Sequence, residues 1–84
     1  MSRVEMGKLI AQARKELGST QLEMAKRTGI VKTTLSKIEN GRFTGSIDIF
    51  ERYLEALGLQ IKLEARNHAL PKWHELDALF EDDE

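Results

Sequence analysis

Eighty-four residues suffice for one small domain, and a chain this short buries a modest fraction of its surface and often leans on a partner. It has no cysteine, so disulfides and thiolate metal sites are excluded as sources of stability and oligomerisation is the natural candidate. The net charge of −1 looks wrong for a nucleic-acid binder, but it averages two unlike parts: residues 1–66 hold 12 Lys/Arg against 8 Asp/Glu, a net of +4, and residues 67–84 hold 1 Lys against 6 Asp/Glu, a net of −5.

No apolar run approaches the roughly 20 residues of a membrane span, and the N-terminus lacks the apolar core of a signal peptide. A cytoplasmic protein without membrane contact is the expectation. From Val4 to Leu17, apolar residues at Met6, Leu9, Ile10, Ala13 and Leu17 fall on one helical face, with Gly18 as the stop. Thr20-Gln21-Leu22-Glu23 is a capping-box pattern that opens a short second helix carrying Met24 and Ala25 inward and closing at Gly29. A third helix follows from about Lys32 to Asn40, with Leu35 and Ile38 as its core positions and Asn40-Gly41 as its end. Ser46 caps a fourth, whose inward residues are Ile47, Phe50, Leu54 and Leu57, and Gly58 ends it.

The period then changes. Leu59, Ile61, Leu63 and Ala65 alternate with Gln60, Lys62, Glu64 and Arg66, the pattern of a half-buried strand over 59–66. A single strand cannot satisfy its own backbone groups. Its simplest partner is the same strand of a second copy, paired antiparallel about a two-fold axis, so these four apolar residues are the expected dimerisation set. The other readings are a strand packed loosely on its own helices, or a helix whose period is mistaken for a strand's. Beyond it, residues 67–84 form an acidic tail with Pro71 and the apolar residues Trp73, Leu76 and Phe80, a candidate partner contact or a tail folded back on the domain.

Two short helices meeting at Gly29-Ile30-Val31 form the centre of the functional reading. Ala25 is small where the helices must approach closely, Gly29 accommodates a left-handed turn, and Ile30 plugs the corner. With Leu35 and Ile38 holding the third helix by one face, Lys32, Thr33, Ser36 and Lys37 point away. Such residues suit a DNA major groove, where Lys donates to guanine and Thr or Ser meets various base edges; they also suit a plain solvated face.

The run Thr20-Gln21-x-Glu23-Met24-Ala25-x-x-x-Gly29-Ile30-x-x-x-Thr34-Leu35-Ser36-x-Ile38-Glu39-Asn40-Gly41 closely resembles the helix-turn-helix of the phage repressor family, the Cro/C1 (XRE) type, without a gap. The resemblance spans about residues 6–57. It implies a mainly α, four-helix, lambda-repressor-like DNA-binding domain, here with one C-terminal strand pairing across a dimer. It also implies a division of labour on double-stranded DNA: base contacts from Lys32, Thr33, Ser36 and Lys37, and backbone contacts from Thr20, Gln21, Asn40, Arg42 and Thr44. Arg14 is implied to pair with Glu39 and to lean toward phosphate. Glu39 follows Ile38 at the core edge and would cost heavily if left unpaired.

The chain departs from the family pattern in places. Val31 stands where a Ser or Thr usually caps the recognition helix, removing a contribution of about 1 kcal/mol. Thr28 replaces a typical Leu, and Phe43 and Gly45 stand in a loop that often reads Asn-Pro; packing and DNA contact are both open to Phe43. The segment from Leu57 to Arg66 resembles a narrower group, the HipB-type antitoxins, in which four helices are followed by a strand that pairs across the dimer and then a short tail. This implies a transcriptional repressor that either also holds a toxin protein or, since freestanding regulators share the strand pattern, acts without one.

The domain reading is therefore residues 1–66 as a DNA-binding domain with its dimerisation strand at 59–66, and residues 67–84 as a tail. A competing class is a protein-interaction module that has this fold but does not read DNA. An enzyme is not expected: no nucleophile–base pair or phosphate loop is present, and His68, His74 and Asp77 lack the tight spacing of metal ligands. No cofactor and no metal are expected.

Overall fold

The computed structural model describes residues 2–65, which fold into α1 (Arg3–Glu16), α2 (Gln21–Thr28), α3 (Lys32–Glu39) and α4 (Ile47–Ala56). Three of the four start on a hydroxyl cap. Ser2, Thr20 and Ser46 accept hydrogen bonds from the backbone N–H groups of Glu5, Glu23 and Ile49, which satisfies donors that a helix start leaves free. Thr20 and Glu23 complete the capping box, since the Thr20 N–H also donates to Glu23 Oε1 at 2.9 Å. α3 begins at Val31 without any side-chain cap bond.

The core joins all four helices and the turn: Ile10 of α1, Met24 of α2, Ile30, Leu35 and Ile38 of α3, Tyr53 and Leu54 of α4, and Leu57 just after it. α1 and α2 both pack on α3, and α2 also packs on α4. The crossing of α1 with the end of α3 is very close. A Cβ built on Gly7 would overlap the Glu39 carbonyl oxygen and come within 2.9 Å of the Ile38 carbonyl oxygen. Just beyond α3, Gly41 takes a left-handed conformation (φ 72°), and a Cβ built there would come within 2.8 Å of the Val4 backbone. Neither position admits a side chain.

The helical pattern overreached at three residues. Leu9, Leu17 and Ile47 were expected inward, and each is at least half exposed. Leu9 flanks Ile10 on α1, and Ile47 is the first residue of α4; both line an open apolar groove with Met6, Phe50, Ile61 and Leu63. Leu17 is the C-cap of α1, one residue before the left-handed turn at Gly18.

Among the described residues there is no strand. The chain leaves α4 through Gly58 and Leu59, whose N–H groups bond to the carbonyls of Glu55 and Leu54 at 3.0 and 2.8 Å, and residues 59–65 continue without regular structure. A strand exists only as half of a ladder, and the described part of one chain offers this segment no second half. Leu59 is half-buried against the core, while Ile61 is exposed and Leu63 is 91% exposed. Arg66, Trp73, Leu76, Phe80, His68, His74 and Asp77 lie outside the described residues. No helix among the described residues is long and apolar enough to cross a membrane.

Candidate nucleic-acid interface

The surface of interest begins where α2 hands over to α3. Gly29 adopts φ 73°, ψ 12°, a left-handed conformation that a side chain would strain. Thr28, the unusual residue, stitches the turn: its hydroxyl donates to the Met24 carbonyl at 2.8 Å and accepts from the Ile30 N–H at 3.2 Å. A leucine there would offer neither bond. Ile30 is buried, and Val31 points to solvent.

With Leu35, Ile38 and Glu39 buried, α3 presents its other side outward. Lys32, Thr33 and Lys37 are exposed on it and Ser36 is half-buried. Asn40, beyond the helix end, donates through Nδ2 to the Ser36 carbonyl at 2.9 Å and to Ser36 Oγ at 3.3 Å. That bond anchors both side chains, so they are less free than their exposure suggests. Arg42 and Thr44 are exposed in the following loop. The loop is held from below: Phe43 stacks on Phe50 with ring centroids 6.3 Å apart, and Gly45 leaves room for the Phe43 ring. Phe43 therefore packs, and Arg3 Nη1 donates to its carbonyl from α1 at 3.4 Å.

The recognition helix is fixed in orientation by a buried carboxylate. Glu39 accepts hydrogen bonds from one residue of each of the other helices or their flanks: Arg14 Nε at 2.8 Å and Nη2 at 3.0 Å from α1, Gln21 Nε2 at 3.1 Å from α2, and the Tyr53 hydroxyl at 2.5 Å from α4. The Arg14 and Glu39 side chains are 12% and 6% exposed. Burial pushes the Glu39 carboxyl up, but the bonds from Arg14, Tyr53 and Gln21, with the charge of Arg14, outweigh it and hold its pKa below the ordinary carboxylate value. Burial, followed by the hydrogen bond to Glu39 and its charge, pushes the Tyr53 phenol up, so it stays a donor. The Glu39 hydrogen bond raises Arg14, against desolvation. Among the described residues no buried side-chain polar atom lacks a partner.

This network bears on two residues expected to meet DNA. Arg14 donates from Nε, Nη2 and also Nη1, the last to the Ser19 carbonyl at 3.0 Å, so three of its five N–H groups are spent within the protein. Gln21 is half-buried with one amide N–H on Glu39, which leaves its other N–H free to point outward. Thr20 is exposed beside it, with its hydroxyl accepting from Glu23 N at 3.1 Å. Sequence reasoning missed Tyr53 and Gly7. For Tyr53 a signal existed: it is the chain's one tyrosine, it sits in the inward stripe of α4, and a buried phenol needs a partner. Gly7 gives none, because a glycine within a helix shows its purpose only when the opposing backbone is known.

Two helices joined by a left-handed turn, the second held by one face and polar on the other, define a helix-turn-helix. The helix-turn-helix domain family matches residues 7–64, and the chain belongs to it, in the Cro/C1 type. An uncharacterized HTH-type transcriptional regulator of Methanothermobacter thermautotrophicus is 43% identical over 53 residues, covering 63% of this chain and 77% of that protein. The ImmF control region 10 kDa protein of Bacillus phage phi105 is 39% identical over 59 residues, covering 70% of this chain and 66% of that protein. Among solved structures, HipB in a HipB–O4 20mer complex superposes with a TM-score of 0.70 at 28% identity, covering 80% of this chain and 94% of that one. A HipA–HipB–O2–O3 complex gives the same values. A SinR/SinI complex gives a TM-score of 0.60 at 31% identity, covering 93% of this chain and 77% of the other.

Proposed function

We propose that this protein is a homodimeric repressor that binds a palindromic operator in double-stranded DNA and blocks transcription by occupying the promoter. The observation that carries it is the outward face of α3: Lys32, Thr33, Ser36 and Lys37 displayed on a helix whose tilt the four-way Glu39 network locks. A two-fold dimer sets two such helices in successive major grooves, about 34 Å apart. Thr20, Gln21, Asn40, Arg42 and Thr44 set the register on the phosphate backbone, and the face of α3 discriminates bases. Arg14 acts by holding Glu39. The net charge of +4 over residues 1–66 favours the polyanion.

The dimer forms through residues 59–66. Their alternating pattern, their exposed Ile61 and Leu63, and the apolar groove beside them with Leu9 and Ile47 support antiparallel pairing with a second copy, which supplies the missing ladder and covers the groove. Residues 1–66 form the DNA-binding and dimerisation unit, and residues 67–84 the acidic tail. The structural relatives solved as HipA–HipB–O2–O3 and SinR/SinI complexes support a protein partner as well. On the antitoxin reading that partner is a toxin, met by Trp73, Leu76 and Phe80. A toxin bound equally well after truncation at residue 66 would remove the tail from that role.

The test is selection from random duplex DNA by the full chain and by a Lys32→Ala/Thr33→Ala/Lys37→Ala variant. A palindromic consensus that the variant fails to select supports both the dimer and the reading surface. No enrichment by the wild type at moderate salt refutes DNA reading and moves the function to protein contact.

A further inference from the structure

The turn between α2 and α3 sends two consecutive β-branched residues in opposite directions. Ile30 enters the core, and Val31 is left 64% exposed. Val31 holds the N-cap position of α3 with φ −64° and ψ 146°, and its carbonyl accepts from the N–H groups of Thr34 and Leu35 at 3.0 and 3.2 Å. Its backbone thus does everything a cap residue's backbone does, while its side chain makes no cap bond. The other three helices each have a hydroxyl at this position. A serine or threonine here would add the capping hydrogen bond that valine lacks. An isopropyl group facing water contributes nothing to the core. Folding alone therefore disfavours valine at this place on two separate counts.

Val31 directly precedes Lys32 and Thr33, at the leading end of α3, and in helix-turn-helix docking the N-terminal residues of this helix are the ones that reach base edges. We infer that Val31 is a specificity-determining residue that reads the C5 methyl of one thymine in each half-site, an assignment that rests on the DNA-reading function proposed above. Thymine is the one base that presents a methyl group in the major groove. Against the isopropyl group it loses only water, whereas the amino group of cytosine or adenine would be desolvated with no acceptor to meet it. The contact includes no charge, so its discrimination persists as salt weakens the phosphate contacts.

The experiment uses the full chain and the selected duplex, with each thymine replaced singly by deoxyuridine, which keeps the pairing edge and lacks the methyl. Wild type is compared with Val31→Ser. The serine restores a capping hydroxyl, so this variant melts no lower than wild type and misfolding does not confuse the result. The expected outcome is one thymine per half-site whose replacement weakens wild-type binding about three- to tenfold, the scale of one buried methyl group. In Val31→Ser the same replacement changes binding by less than about twofold. A consensus without a methyl-sensitive thymine overturns the assignment while leaving DNA reading intact. So does equal sensitivity in Val31→Ser. Failure of the wild type to select any sequence overturns the DNA-reading function itself, and the assignment with it.

Discussion

Tyr53→Phe tests whether the buried network holds the helices together. The ring is fully buried and its hydroxyl donates to Glu39 Oε2 at 2.5 Å. Phenylalanine keeps the ring, so no cavity opens and no carbon contact is lost. Glu39 keeps two bonds from Arg14 and one from Gln21, so its charge is not orphaned. What disappears is one hydrogen bond to a charged acceptor, worth about 1.5–3 kcal/mol. On a domain of this size each kcal/mol moves the melting midpoint by about 4–8 °C. Urea unfolding followed by circular dichroism, at one protein concentration throughout because the stability of the proposed dimer would depend on it, gives the change directly. The same substitution in a Glu39→Gln background removes a bond to a neutral acceptor and costs only about 0.5–1.5 kcal/mol. The cycle therefore predicts a coupling of about 1 kcal/mol or more between Tyr53 and the Glu39 charge. A loss below about 0.5 kcal/mol, or the same loss in both backgrounds, refutes the four-helix hub.

Other consequences follow from the same geometry. Gly7→Ala drives a methyl into the α3 carbonyls, and since that obstacle is backbone, it destabilises by about 3 kcal/mol or more, readable as a large fall in urea midpoint; a mild effect would mean that α1 shifts freely on α3. Acid sensitivity follows from Glu39: its folded-state pKa lies below the ordinary 4.5, so its stabilisation is complete above that value and is lost as pH falls through the folded value. Melting temperatures below pH 4.5 should therefore fall more steeply for wild type than for Glu39→Gln, and parallel curves would contradict this. In DNA binding, Lys37→Ala relaxes preference at one base pair by about 1–3 kcal/mol, whereas Arg42→Ala weakens all sequences evenly and lowers the salt slope; identical losses from both would refute the division of labour.

How far the sequence reached depended on whether a feature is local. The caps at Thr20 and Ser46 and the turn at Gly29 act within four residues of themselves, and their patterns read directly. Periodicity identified the apolar stripes, but a stripe does not say where its neighbour ends, and so it points Leu9, Leu17 and Ile47 inward although nothing among the described residues covers them. Glu39 was legible as a residue in need of a partner, because a carboxylate beside Ile38 has few ways to be satisfied. That the partner set extends to Tyr53 was not, since it depends on how α4 lies across α3.

The segment at 59–65 is the sharper case, because pattern and structure disagree there for a physical reason. Alternation measures what two faces of a strand would each meet, and it is as clear here as anywhere in the chain. A ladder measures whether backbone partners are present, and the described part of a single chain has no second strand to supply them. Leu63, 91% exposed, and the exposed Ile61 leave the apolar half of this alternation uncovered by the described residues. The exposed Leu9 and Ile47 line the same groove as these two residues, so the dimer proposed above would account for the outward apolar residues and the missing strand together, with a second copy finishing the face that α1, α4 and residues 59–65 share.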